Sequence, residues 1–113
     1  MKQNFVLKGN AINILKNMES QSIKMIKKLI EKKTIKFRRQ IGNPTFFNRR
    51  KPHESKIDIS KIKTIDKFYN FLRMLDAPSY PNAFIQLKDF KISFNDIKKI
   101  NNIINAKVKI QKN

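Results

Sequence analysis

The residues best suited to chemistry are three adjacent cations that follow two aromatic residues. Phe46 and Phe47 are separated by one asparagine from Arg49, Arg50 and Lys51. Guanidinium groups are planar and carry several donors, so they hold phosphates well, and aromatic rings stack on bases or sugars. Two interpretations stay open: a surface that binds polyanions, or a linker whose phenylalanines are anchored in a core while its charges face water.

Catalytic and metal chemistry have less support. His53 is the only histidine, and cysteine is absent. Without a partner carboxylate or a second ligand nearby in sequence, His53 supports neither a catalytic nor a metal-binding role. We therefore predict no metal ligand in this chain.

The composition favours anionic partners. The 113 residues contain 26 Lys and Arg against 8 Asp and Glu, giving a net charge of +18. Such an excess attracts nucleic acid, anionic lipid or phosphorylated substrates. A lysine-, isoleucine- and asparagine-rich bias spread over solvated faces is an equal alternative. The absence of cysteine, of a signal peptide and of any apolar run near about 20 residues leads us to expect a cytoplasmic protein without a membrane span.

The N-terminal third predicts one long amphipathic helix. Phe5 to Leu7 suggests a strand stub, Asn10 an N-cap, and the apolar spacing a helix over Ala11–Glu31 with a weak spot at residues 19–22. We expect this helix to pack on a sheet with its lysines in water. A basic surface facing RNA or a membrane is the alternative.

A linker and a small mixed domain follow. Gly42-Asn43-Pro44 breaks any helix. A second helix carries the apolar stripe Ile65, Phe68, Tyr69, Leu72 and Leu75, capped by Ser60 or Thr64. Arg73 lies beside this stripe, either as a surface charge or reaching into a site.

Three strands are predicted after the rigid turn at residues 78–81. They cover residues 83–87, 90–94 and 104–110, with a hairpin turn at 88–89 and, in the second strand, one buried and one wet face. Residues 57–59 fit a short strand or an extended anchor, and residues 95–102 fit either a helical turn or a loop. The prediction is an α+β fold: an N-terminal amphipathic helix, a basic linker, then a helix with a small, partly open antiparallel barrel similar to an oligonucleotide-binding fold.

Three segments carry a family resemblance. Residues 47–57 (FNRRKPHESKI), 71–77 (FLRMLDA) and 80–84 (YPNAF) resemble the C-terminal part of formyltetrahydrofolate-dependent formyltransferases. That family includes methionyl-tRNA formyltransferase and enzymes that N-formylate amino-sugar nucleotides. The amino-acid sequence of these three segments is most similar to that of the sugar-modifying or unassigned members. Residues 6–11 and the first helix resemble the end of the family's Rossmann-like catalytic domain. The implied division is residues 1–32 for that strand stub and helix, 33–56 for the linker and 57–113 for the small C-terminal domain.

The resemblance implies a chain without the reaction's chemistry. The family's catalytic Asn, His and Asp and its folate pocket belong to the N-terminal domain, so we expect no catalytic or cofactor-binding residue here. Formyltetrahydrofolate would be the cofactor of the full-length family alone. Implied partners are a separate catalytic domain or chain, and tRNA or a nucleotide sugar. Candidate substrate or phosphate contacts are Arg49, Arg50, Lys51 and Arg73.

A basic RNA- or tRNA-binding module is the alternative function. Further phosphate contacts would then come from Lys32, Lys33, Lys36, Arg38 and Arg39. A third possibility is a helper subunit that docks on a separate catalytic chain through one face of the first helix, formed by Ile14, Met18, Met25 and Leu29.

Overall fold

A computed structural model describes residues 2–113 of the chain, and it confirms the α+β class. Two α-helices, α1 (Ala11–Ile30) and α2 (Ile65–Met74), accompany three strands, β1 (Phe84–Gln86), β2 (Phe90–Ile100) and β3 (Ile103–Lys112). The strands form an open antiparallel sheet in the order β1-β2-β3, consistent with a partial barrel. Within the described range, no helix is both long and apolar enough to cross a membrane.

Helix α1 begins at the predicted cap. The Asn10 side chain accepts a hydrogen bond from the Asn13 backbone N–H at 3.2 Å. Gly9 precedes it with φ +84°, and a Cβ there would lie 2.8 Å from the Asn13 Cβ, so this entry turn requires glycine. The helix runs unbroken through residues 19–22. The expected strand stub at Phe5 to Leu7 is wrong, because residues 2–8 have no regular structure.

The apolar stripe of α1 is largely exposed, contrary to the expectation of a packed helix. Only Ala11 and Ile14, in the first turn, are buried. Farther along, the exposed fractions are 45% at Met18, 54% at Ile26 and 78% at Ile30. Periodicity predicts which side of a helix is apolar, but it does not show that a covering surface is present.

The core lies between α2 and the sheet. Thr64, one of the two predicted caps, accepts a hydrogen bond from the Lys67 N–H at 3.3 Å. Leu72 and Leu75 are each 2% exposed. They pack with Ile57, Ala83 and Ile97, and partly buried side chains, including Phe68 and Tyr69, surround this cluster.

Strand β2 is longer than predicted and contains a bulge. Residues 95–102, left open by sequence, continue the strand to Ile100 and then turn. Pairing with β3 shifts register between Asn95 and Lys98, and Asp96 adopts φ +50°. Side-chain burial follows the predicted alternation poorly, since Phe90 is 45% exposed and Ile110 on β3 is 65% exposed. The end of the sheet that holds Phe90 and Ile110 is therefore not covered by the described chain.

The segment between α1 and the small domain is extended. Residues 33–51 contain no helix or strand and are exposed throughout. A 3-10 turn (Pro52–Ser55) then leads to a single parallel bridge between Lys56 and Phe84, where the Ile57 N–H donates to the Phe84 carbonyl at 2.7 Å. Residues 57–59 are thus an anchor for the linker rather than a full strand. The proposed domain limits remain a prediction.

Candidate functional site

A basic cleft of about 640 Å³ lies where the linker meets the small domain. One wall is the end of the linker and its 3-10 turn, and the other is the turn before β1. The lining residues are Arg49, Arg50, Lys51, Pro52, Ser55, Ser79, Tyr80 and Pro81. Three of the four predicted contact residues therefore line one cleft.

Buried and local hydrogen bonds hold the two walls. Ser55 is 0% exposed, and its Oγ donates to the Pro81 carbonyl at 3.0 Å, joining one wall to the other. On the linker wall, the Lys51 N–H donates to the Glu54 carboxylate at 2.5 Å. Because a buried hydroxyl needs a partner, the Ser55–Pro81 bond fixes the spacing of the walls.

Arg50 is held by a hydrogen bond and an aromatic ring. Its Nη2 donates to the Glu54 carbonyl at 2.6 Å, and its guanidinium carbon lies 5.3 Å from the centroid of the Phe71 ring. A guanidinium carries five N–H donors, so these contacts leave others available. The Arg50 guanidinium is therefore held in one orientation while some of its N–H donors remain available to a ligand.

Arg49 and Lys51 bring positive charge without a partner in the described chain. The ion pairs found in residues 2–113 use Asp58, Asp66 and Asp96, all outside the cleft. No acidic residue lies in sequence between Glu31 and Glu54, and no carboxylate lines the cleft. An anion entering the cleft meets three cations and no carboxylate in the lining, while the nearby Glu54 carboxylate accepts a hydrogen bond from the Lys51 N–H on the linker wall.

Arg73 lies elsewhere and binds backbone within the chain. Its Nη1 donates to the Gly9 carbonyl at 2.5 Å and lies 3.4 Å from the Leu7 carbonyl. Its Nε donates to the Asn70 side chain at 2.7 Å, and its guanidinium lies over the Tyr69 ring. The structure does not bring Arg73 to the cleft, so a substrate contact by Arg73 remains a prediction.

The aromatic residues of the linker are in solvent. Phe46 is 87% exposed and Phe47 is 89% exposed, so the interpretation that they anchor the linker in a core is wrong. Sequence reasoning missed Ser79 and Tyr80 as lining residues. The proline-rich turn at residues 78–81 was the available signal, because a rigid turn beside the linker presents its side chains at a fixed place.

The cleft suits anion binding rather than proton transfer. Neither a histidine nor a carboxylate lines it, and His53 is an exposed residue outside it. Across residues 2–113, no group of three or more His, Cys, Asp or Glu side chains comes together. The family resemblance implies that formyl transfer uses an amide, an imidazole and a carboxylate, and neither of the last two groups lines this cleft.

Comparisons with known proteins agree on one family. Residues 52–111 match the family model described as methionyl-tRNA formyltransferase, C-terminal domain. The solved structure of methionyl-tRNA formyltransferase from Clostridium thermocellum is similar over 100% of this chain, with 32% identity and a TM-score of 0.86. The chain spans about half, 49%, of that protein. No curated protein matches the chain significantly.

Proposed function

Because this chain belongs to the family of methionyl-tRNA formyltransferase C-terminal domains, we propose that it binds tRNA for formyl transfer and leaves the transfer itself to a catalytic domain. The observation that carries the proposal is the basic cleft, which gathers Arg49, Arg50 and Lys51 with no carboxylate in its lining. Such a lining attracts the phosphates of an RNA backbone.

The charge of the surrounding chain supports the same ligand. Residues 32–53 contain eight Lys and Arg and no acid, and Lys32 through Lys51 are exposed. A tRNA presents many phosphates over a wide surface, so it can use both the cleft and the linker. A nucleotide sugar presents only a diphosphate and would leave most of these cations unused.

A binding assay with the full chain tests this. Fluorescence anisotropy with labelled initiator tRNA, at about 50 and about 200 mM salt, should give an affinity that falls steeply as salt rises. Arg49→Gln with Lys51→Gln should weaken binding and reduce the salt slope by about 2, one for each lost phosphate contact.

The matched control removes two charges from α1 instead. Lys16→Gln with Lys24→Gln gives the same net charge, so a general charge effect would appear equally in both double variants. An affinity that does not change with salt, or equal losses in the two variants, contradicts the proposal. Displacement of tRNA by a nucleotide sugar at lower concentration than by inorganic phosphate would instead favour the sugar as acceptor.

Formyl transfer by the chain alone is not expected, because neither a carboxylate nor a histidine lines its cleft. The purified chain would be incubated with formyltetrahydrofolate and either charged initiator tRNA or an amino-sugar nucleotide. Turnover above background would show that the chemistry lies in these residues after all.

Docking of α1 on a catalytic domain is a second candidate function. The favouring observation is the exposed apolar stripe, with Met18, Ile26 and Ile30 between 45% and 78% exposed. A stripe of this kind is an interaction surface when its partner is present and an aggregation site when it is not. The chain should bind a hydrophobic dye or self-associate, and Ile26→Gln with Ile30→Gln should reduce both. A monomeric chain that binds no dye contradicts docking.

A further inference from the structure

We infer that the exposed segment of residues 32–51 binds unpaired nucleotides by stacking them on its aromatic side chains. The inference rests on the proposed RNA binding and specifies which part of the RNA is recognised. Its starting observation is four large apolar side chains almost wholly in solvent. The exposed fractions are 90% at Phe37, 95% at Ile41, 87% at Phe46 and 89% at Phe47.

Packing within the described chain does not account for these rings. The core consists of Ile57, Leu72, Leu75, Ala83 and Ile97, and the partly buried side chains around it begin at Ile62. No residue of the segment contributes to it. Holding several phenyl rings in water is unfavourable, so a ligand that covers them gains free energy from the burial.

The charge of the segment selects the ligand. All eight cations of residues 32–53 lie at or before Lys51, interleaved with the aromatic residues and unaccompanied by an acid. A protein partner of the usual mixed charge would leave these cations unpaired, whereas a nucleic acid supplies a phosphate for each nucleotide. Cations that follow the backbone and rings that stack on bases are the two features of single-strand binding surfaces.

Stacking requires bases that are not already paired. In a duplex the base faces are covered by neighbouring pairs, so Phe37, Phe46 and Phe47 would find no partner there. Phe46 lies nine positions after Phe37, a distance that an extended chain spans in at most about 30 Å. That reach lets one single strand of several nucleotides contact both ends of the segment.

The decisive comparison uses two labelled RNAs with the same number of nucleotides. One is a single-stranded oligouridine, and the other is a hairpin whose stem is closed by a non-nucleotide linker, so that none of its bases is unpaired. Phe46→Leu with Phe47→Leu should weaken binding of oligouridine about tenfold or more, because base stacking on aromatic side chains is lost. Binding of the hairpin and the salt slopes for both RNAs should stay unchanged, since no cation is removed. The control Phe90→Leu, on a half-exposed ring of the sheet, should change neither affinity.

A fluorescence readout reports the contact itself. The chain has no tryptophan, so Phe47→Trp introduces a single reporter, and Phe90→Trp a matched one. Oligouridine should quench the reporter at position 47 and not the one at position 90. Equal loss of hairpin and oligouridine binding in the double leucine variant, or no quenching at position 47, overturns the inference.

Two further outcomes separate this inference from the proposed function. If neither RNA binds the unaltered chain, RNA binding itself fails. If the hairpin binds with steep salt dependence and oligouridine gains nothing from the rings, only the stacking inference fails. Vesicles of phosphatidylcholine with phosphatidylserine that displace oligouridine and blue-shift the position-47 reporter would also overturn it, in favour of a lipid surface.

Discussion

The carboxylate of Asp76 accepts a hydrogen bond from the backbone N–H of Ile97 at 2.9 Å. Its other oxygen accepts from the Asp96 N–H at 3.1 Å. These two donors lie in the bulge of β2, where the ladder with β3 is interrupted. The side chain that follows α2 thus replaces the missing strand partner, which ties the end of the helix to the sheet.

We predict that Asp76→Ala destabilises the fold by about 1–3 kcal/mol, because partly buried N–H groups lose their acceptor. Asp76→Asn should cost less, since its amide oxygen can still accept one of the two bonds. Urea unfolding followed by circular dichroism measures both changes. Asp89→Ala, at the hairpin turn, is the control and should be nearly neutral; an equal loss there would refute a special role for Asp76.

Truncation of Leu72 tests the core. Leu72 is 2% exposed and faces the sheet from α2, so Leu72→Ala should destabilise the domain by about 2–5 kcal/mol. Met74, two residues later, is 44% exposed, and Met74→Ala should change the free energy of unfolding far less. Similar midpoints for the two variants in urea would show that the helix is not seated as described.

Local patterns predicted the elements well where one physical rule dominated. The caps Asn10 and Thr64 follow from side-chain hydrogen bonding, and the stripe through Leu72 follows from helical periodicity. In β3, by contrast, only Ile104 and Ala106 are partly buried, and the apolar side chains after them are exposed. The continuation of β2 through Asp96 was not predictable, because its bulge is held by Asp76 from another part of the chain. The secondary-structure propensities of residues 95–102 do not reveal that Asp76 will accept their hydrogen bonds.

The sequence predicted part of the grouping of residues at the candidate site, since Arg49, Arg50 and Lys51 line one cleft and Arg73 does not. Cations at 49–51 predict a phosphate-binding surface wherever the chain carries them. Residues 49–51 line the same cleft as Tyr80 because of the Ser55–Pro81 hydrogen bond, which joins two residues that are far apart in sequence. Arg73 shows the converse, since its sequence context suggests a site whereas its guanidinium binds the backbone of the N-terminal segment.

Acid should lower the stability of the fold through Asp96, which lies in the bulge of β2. A hydrogen bond from Lys107 and the nearby charge of Lys98 lower the pKa of Asp96 below its usual value. A carboxyl whose pKa is lower in the folded state stabilises the protein above its unfolded pKa, and this contribution is lost as pH falls through the folded pKa. The thermal unfolding temperature should therefore decrease once the pH falls below about 4.

Asp96→Asn should flatten this acid dependence, because it removes the titrating group while tolerating the positive φ. Asp58, whose pKa a hydrogen bond from Ser60 and the neighbouring Lys61 also lower, should leave part of the dependence in place. Asp89→Asn serves as the control and should retain the full acid dependence. An unaltered pH profile in Asp96→Asn would show that Asp96 contributes nothing to it.

Arg73 should act as a clamp between the entry to α1 and the small domain. Its bond to the Gly9 carbonyl joins residues 64 positions apart, and the Asn10 amide lies 3.5 Å from the Asp76 carboxylate beside it. Arg73→Met keeps the length of the side chain but removes every donor. We expect faster hydrogen exchange at the first amides of α1, with little change in the core amides around Leu72, because the apolar cluster does not include Arg73.

The control for this clamp is Arg39→Met, which removes the same charge from an exposed linker position. Exchange in α1 should not change in that variant. In Arg73→Lys, the exchange rate at the first amides of α1 should lie between those of the unaltered chain and Arg73→Met. One ammonium group cannot donate to both the Gly9 carbonyl and the Asn70 side chain with the geometry of a guanidinium. Unchanged exchange in Arg73→Met would mean that Ala11 and Ile14, buried in the first turn of α1, are enough to hold the helix in place.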